Sequence, residues 1–231
     1  MIFPNSTVSA SNIEDAWRQT MWLCVRNGHD YTVQRGSYVG QVRRQLASLS
    51  ITIDEPGRRP LAVSLPEHLG FAPPTDEERI EEYFYNYLYS GEKQRMQDYT
   101  YGEFIGPVLP RVIHMLQNNL EGTNQACINI GDEHSILLQD PPCLRLVDFK
   151  VVGSKLTLSA YFRSWDLFAG LPENLGGLQL LKEYVLGYIS CQGILDGPMY
   201  IYSSGAHLYE MYFPLVNQLC VDQVGGGSDG V

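Results

Sequence analysis

Apolar residues recur at helical spacing through Ile13, Ala16, Trp17, Met21 and Cys24, behind Ser11-Asn12-Ile13-Glu14, which reads as a capping box. Asn27-Gly28 is the stop signal for that helix. Residues 48–54 alternate in the manner of a strand, with Leu49, Ile51 and Ile53 on one side and Pro56-Gly57 at the end. The proline-rich stretch 56–74 predicts an irregular loop rather than a linker between domains. A second capping box, Thr75-Asp76-Glu77-Glu78, opens a helix that runs to about Tyr89, and a third helix is predicted over 108–120. Residues 126–130, 143–152 and 155–163 have strand character, and Gly153-Ser154 joins the last two as a tight hairpin. Pro172 precedes a long amphipathic helix with Leu175, Leu178, Leu181, Val185 and Ile189 on one side. A strand over 198–202 leads to His207-Leu208-Tyr209 and a last helix, whose first turn must take Pro214 or kink at it. Helices packed with a strand-rich second half, joined by a hairpin, predict an α+β fold with a mixed β-sheet.

Composition narrows this further. The 231 residues fit one domain over 1–221, followed by a flexible glycine-rich tail at 222–231. A formal charge of −10 excludes broad binding to extended nucleic acid, which needs many phosphate-neutralising cations. It leaves room for a phosphorylated small molecule, since a few local arginines can dominate one site. The five cysteines show no Cys-x-x-Cys, so the spacing predicts no metal site and suits a reducing, cytoplasmic setting. Residues 1–12 lack the charged flank and apolar run of a secretory leader, and no apolar stretch is long enough to span a membrane. Fifteen tyrosines point to amphipathic side chains around a groove or a subunit contact, or, more plainly, at the edge of the core.

Four short segments carry candidate chemistry. Cys143 lies in Asp140-Pro141-Pro142-Cys143-Leu144-Arg145, where two prolines fix the backbone before a strand. An ordinary thiol is mostly protonated at neutral pH, so a nucleophilic Cys143 requires nearby positive charge. Arg145 lies two positions on, and Arg163, at the end of the hairpin strand, is the better source. Taken alone, the segment equally describes a buried, inert cysteine. Arg163-Ser164-Trp165-Asp166 offers a forked cation and a hydroxyl suited to phosphate, or else a surface ion pair of Arg163 with Asp166. Asn174, in the first turn after Gly170-Leu171-Pro172-Glu173, presents either an amide to a ligand or an ordinary helix-start polar group. His207 and Tyr209, two apart on a strand, share a face.

In order and spacing, Pro-Cys, then Arg-Ser-x-Asp, then Gly-Leu-Pro-x-Asn, then His-x-Tyr resembles the thymidylate synthase family, in particular its shorter archaeal-type members. PPCLRLVDFK, YFRSWDLFAGLPENL and HLYE carry the likeness over residues 141–219. Arg35-Gly36-Ser37 and Tyr99-Thr100-Tyr101-Gly102 extend it more faintly into the first half. The resemblance implies a thymidylate synthase-like fold, a homodimer formed through a sheet face, and C5 methylation of a uracil nucleotide of the dUMP-to-dTMP type. The implied one-carbon donor is 5,10-methylenetetrahydrofolate or methylene-tetrahydromethanopterin. On the matching positions, Cys143 adds to pyrimidine C6, while Arg163 contacts phosphate and the sulfur. Ser164 and Arg35 hold phosphate, Asp166 anchors the pterin, and His207 and Tyr209 bind the sugar 3′-hydroxyl. Asn174 reads the base, an asparagine there suiting uracil. Glu82, with Glu81 as competitor, corresponds to the glutamate that organises proton transfer near O4. Three departures stand out: Asn124-Gln125 occupy the place of an arginine pair lent to the neighbouring subunit's phosphate, Trp165 is unusually large, and the tail is glycine-rich. A poor closing tail would suit the alternative of a C5 hydroxymethylase acting on dUMP, dCMP or CMP, in which water quenches the methylene intermediate.

Overall fold

The computed structural model describes residues 5–95 and 97–225. It opens on a strand that the hydrophobic pattern does not announce, β1 (Ser6–Ala10), in which Ser6, Val8 and Ala10 turn inward. Helix α1 (Ile13–Asn27) follows and buries Ile13, Ala16, Trp17, Met21 and Cys24, as the spacing predicts. Its cap is Asn12 rather than Ser11. The Asn12 side chain accepts from Asp15 N at 2.9 Å, and Asp15 in return accepts from Ser11 N at 2.8 Å, so the capping box sits one residue later than expected. Strands β2 (His29–Thr32), β3 (Val42–Leu46) and β4 (Leu49–Ile53) come next.

Helix α2 (Glu77–Tyr83) starts from an Asp76 cap and continues as a π-helical turn over Phe84–Tyr89. Then come α3 (Gly102–Ile105), α4 (Leu109–Asn119), β5 (Cys127–Asn129), β6 (Leu144–Val152) and β7 (Lys155–Phe162). Gly153 and Ser154 have φ of 56° and 59°, the left-handed pair that a two-residue hairpin requires. The chain closes with β8 (Trp165–Asp166), α5 (Gly170–Gly187), β9 (Leu195–Ser203), β10 (Ala206–Tyr209) and α6 (Phe213–Gly225), which takes Pro214 in its first turn. Positions 226–231 of the expected tail lie outside the described residues.

The strands form two sheets. The larger runs β1-β4-β9-β7-β6-β5, parallel at β1/β4 and β7/β9 and antiparallel at its other joints. The smaller runs β2-β3-β10-β8. This is the mixed sheet packed with helices that the sequence predicts. Helix α5 is more central than a one-sided amphipathic helix: Leu171, Leu175, Gly176, Gly177, Leu178, Leu181, Lys182 and Val185 are all buried, and Pro172 lies inside its first turn. Gly176 and Gly177 face α2. A Cβ at 176 would meet Ile80 Cγ2 at 2.8 Å, and one at 177 would strike the Tyr83 ring. The opposite face of the larger sheet carries Thr52, Ser159, Tyr161, Tyr200 and Tyr202 in a shallow groove. Among the described residues, no helix is long and apolar enough to cross a membrane.

Candidate active site

A cleft of about 340 Å³ opens between the smaller sheet and the segment that leads into β6. Cys143, Arg35, Arg163, Ser164, Asp166, His207 and Tyr209 all line it, so the fold gathers seven of the nine candidate residues in one place. Topology explains the gathering. β8 and β10 lie parallel and put Asp166 beside His207, while β3 runs antiparallel to β10 and sets Arg43 opposite Tyr209. The main chain of Arg163 donates to Cys143 O at 2.9 Å, which ties the end of β7 to the cysteine. Tyr101 fixes the other side, its hydroxyl accepting from Leu144 N at 3.2 Å. The β2–β3 loop adds Arg35, Gly36 and Ser37 to the lining. Its Ser37 Oγ donates to Asp140 Oδ2 at 2.7 Å, and the Tyr38 ring packs on Tyr209 at 4.6 Å between centroids.

The guanidinium of Arg163 is held by the prolines before the cysteine. Nε donates to Pro142 O at 3.1 Å, and Nη2 donates to Pro141 O and to Asp140 Oδ1. Arg145, the other cation considered for the sulfur, stands at a bulge in the β6–β7 pairing and does not line the cleft. Proximity to Arg163 does not leave the thiol readily ionised, as the sequence suggests it would. Burial raises the Cys143 pKa, Arg163 and Arg43 oppose that rise, Asp140 adds to it, and the net direction is upward. The resting side chain is therefore a thiol. Burial also holds Asp166 up at about 6, against the backbone N–H groups of Phe168 and Ala169, which favour its charge. His207 is pushed down to about 4 by burial and is neutral. Its Nδ1 lies 2.9 Å from Gly205 O and donates to it, which leaves Nε2 an acceptor that is buried without a partner.

Two candidates stand apart. Asn174 is set behind the cleft, with Oδ1 accepting from Trp165 Nε1 at 3.0 Å. The buried phenol of Tyr83 lies beside this amide, close enough to feel it, and Tyr83 also feels Cys143. Glu82 is exposed, as is Glu81, because α2 turns Ile80 inward and leaves these two toward solvent. Glu82 lines a second, polar cleft with Arg79, Tyr83, Tyr87, Gln97 and Glu173. Tyr83 and Tyr87 connect the two clefts, since Tyr87 lines the second and senses Cys143 and Asp140 of the first.

Sequence reading missed two further groups. Arg43 lines the cysteine cleft, donating from Nη2 to the Tyr209 hydroxyl at 2.8 Å and covering the Tyr209 ring at 4.7 Å, while its buried Nε has no partner. The sequence signal was the Arg43-Arg44 pair, which on a polar strand looks like solvated charge. Glu173, next to Asn174, is a half-buried carboxylate whose pKa burial raises, with Arg79 opposing. Asn124 and Gln125 are exposed just before β5 and do not line the cleft, so its positive charge comes from Arg35, Arg43 and Arg163.

A family model described as thymidylate synthase matches residues 94–223. A Methanosarcina barkeri protein named "Putative thymidylate synthase" is 30% identical over 92% of this chain and 93% of its own. Over 52% of this chain and 44% of its own, the thymidylate synthase of Buchnera aphidicola is 33% identical. Among solved structures, thermostable thymidylate synthase A from Bacillus subtilis superposes with a TM-score of 0.65 at 14% identity, covering 91% of this chain and 84% of that one.

Proposed function

Because this chain belongs to the thymidylate synthase family, we propose that it methylates C5 of a uracil nucleotide, of the dUMP-to-dTMP type, through covalent addition of Cys143 to C6. The observation that carries this reading is the shared cleft: a half-buried thiol that feels Arg163 and Arg43, with Arg35 and a neutral imidazole acceptor in the same lining. Addition of the sulfur to C6 moves the ring's electrons onto C5 and O4, and C5 then becomes the nucleophile. Arg35, Arg43, Arg163 and Ser164 take the phosphate, which replaces the arginine pair absent at Asn124-Gln125. His207 Nε2 accepts from the sugar 3′-hydroxyl, and the Tyr209 hydroxyl lies on the same face. Asn174 reads the base edge.

A reduced pterin fits the donor set present. Asp166 is a carboxylate in the cleft wall, suited to the amino and N–H edge that folate and methanopterin pterins share. When bound, that group supplies the one-carbon unit and, for a methyl product, the hydride. For proton handling near O4, the phenols of Tyr83 and Tyr87 are the groups that sense Cys143, and Glu82 and Glu173 line the second cleft beside them. The assembly that suits this fold is a homodimer through the outer face of the larger sheet.

The test is incubation with C5-tritiated dUMP and a methylene-pterin donor, followed by product mass. Wild-type protein releases tritium and adds CH2. Cys143→Ser loses release by at least about a thousandfold while still binding dUMP, the scale expected on removing a covalent nucleophile. Release retained in that variant removes the covalent mechanism. Addition of CH2O assigns the hydroxymethylase outcome instead.

A further inference from the structure

Trp165 is the residue that departs most from the family pattern within the Arg-Ser-x-Asp unit, and it is not a surface ornament. Its side chain is 2% exposed and lies flat on Phe162, with centroids 4.5 Å apart and planes inclined by 2°. The backbone is equally fixed, with Trp165 N donating to Gly205 O at 3.0 Å and β8 paired to β10. From this position the indole Nε1–H reaches Asn174 Oδ1 at 3.0 Å. An indole nitrogen only donates, so the oxygen of the amide must face it.

A carboxamide is a two-faced reader. In one orientation it donates from Nδ2 to O4 of uracil and accepts from N3–H at Oδ1. Rotated half a turn, it accepts from the amino group of cytosine and donates to N3. An asparagine at this position therefore distinguishes uracil from cytosine only if something holds its orientation. We propose that Trp165 is that holder: its indole N–H locks the Asn174 amide in the orientation complementary to uracil and makes Trp165 the positioning residue for base choice. Rotation of the amide would aim an N–H at an N–H in a buried setting, which leaves two donors unpaired. The amide oxygen has a second lone pair, so accepting from Trp165 does not prevent it from accepting from N3–H. Tyr83 completes the pocket edge, its buried hydroxyl lying beside Asn174 and interacting with the same amide.

This inference rests on the reading that Asn174 faces the base, and the experiment separates the two. Binding of dUMP and dCMP is measured by calorimetry for the wild type, Trp165→Phe and Asn174→Asp. Trp165→Phe keeps an aromatic ring on Phe162 and removes only the donor. The expected result is a dUMP:dCMP affinity ratio that falls about tenfold in Trp165→Phe, mainly through tighter dCMP binding, as one freed polar pairing allows. A ratio unchanged in Trp165→Phe but shifted toward dCMP in Asn174→Asp overturns the lock and leaves the base-reading role standing. A ratio unchanged in both overturns both. If Trp165→Phe does not fold, proton exchange at the Trp165 indole nitrogen decides. Slow exchange that becomes fast in Asn174→Ala supports the lock, and equally fast exchange in both proteins overturns it.

Discussion

At the scale of single residues, the cysteine is held in reserve. Burial and the Asp140 carboxylate keep Cys143 protonated, against the pull of Arg163 and Arg43. Because the thiolate is the reactive form and the pKa is raised, alkylation of Cys143 by iodoacetamide should climb as pH rises through 9 and continue beyond it. Asp140→Asn removes one like charge and should speed that reaction at pH 8 by about two- to tenfold. Mass spectrometry of the Cys143 peptide reads this separately from the exposed Cys127 and Cys191. An unchanged rate would mean that burial alone sets the thiol. The residues easiest to read in the sequence were those in contiguous pieces: Cys143 behind two prolines, Arg163-Ser164-Trp165-Asp166, and His207 with Tyr209. Arg43 was hidden because its relevance comes from pairing opposite Tyr209, 166 positions away, which no local spacing reveals. Glu82 and Glu81 both lie on the exposed side of α2, whose buried residue is Ile80, and the row of acids in the sequence does not show which way the helix turns them.

At the scale of elements, strands and helices with apolar stripes were legible, and those that build the cleft wall were not. β2 and β3 read HDYT and VRRQL, and only Leu46 among them is fully buried. Most of their residues are only partly buried, and Arg43 faces the cleft instead of the core, which erases the alternation that identifies a strand. β1 was missed because Ser and Ala fill its inward positions. The close approach of α2 to α5 is the element-level feature on which the base pocket depends, since it brings Tyr83 to Asn174. Gly177→Ala would drive a methyl into the Tyr83 ring. It should cost about 1–3 kcal/mol of stability by urea denaturation, the range for overpacking a filled interior, and should weaken dUMP binding more than phosphate binding. Loss of stability with nucleotide affinity intact would detach Tyr83 from the pocket.

For the whole molecule, the outer face of the larger sheet is the notable surface. Tyr200 and Tyr202 each remain 44% exposed on β9, and Tyr161 stacks on Tyr202 at 5.6 Å. Exposed aromatic side chains grouped on a sheet face suit burial against a second copy. On the homodimer reading, Tyr200→Asp should shift the sedimenting species from twice the chain's mass to a single chain at micromolar concentration. A wild-type protein that sediments as a single chain would remove the dimer.

Asp140 couples two parts of the cleft. One carboxylate accepts from Ser37 of the β2–β3 loop and from Arg163, and it also holds the Cys143 thiol pKa up. A change at this one side chain therefore loosens the loop's anchor and shifts the charge balance at the sulfur in the same stroke.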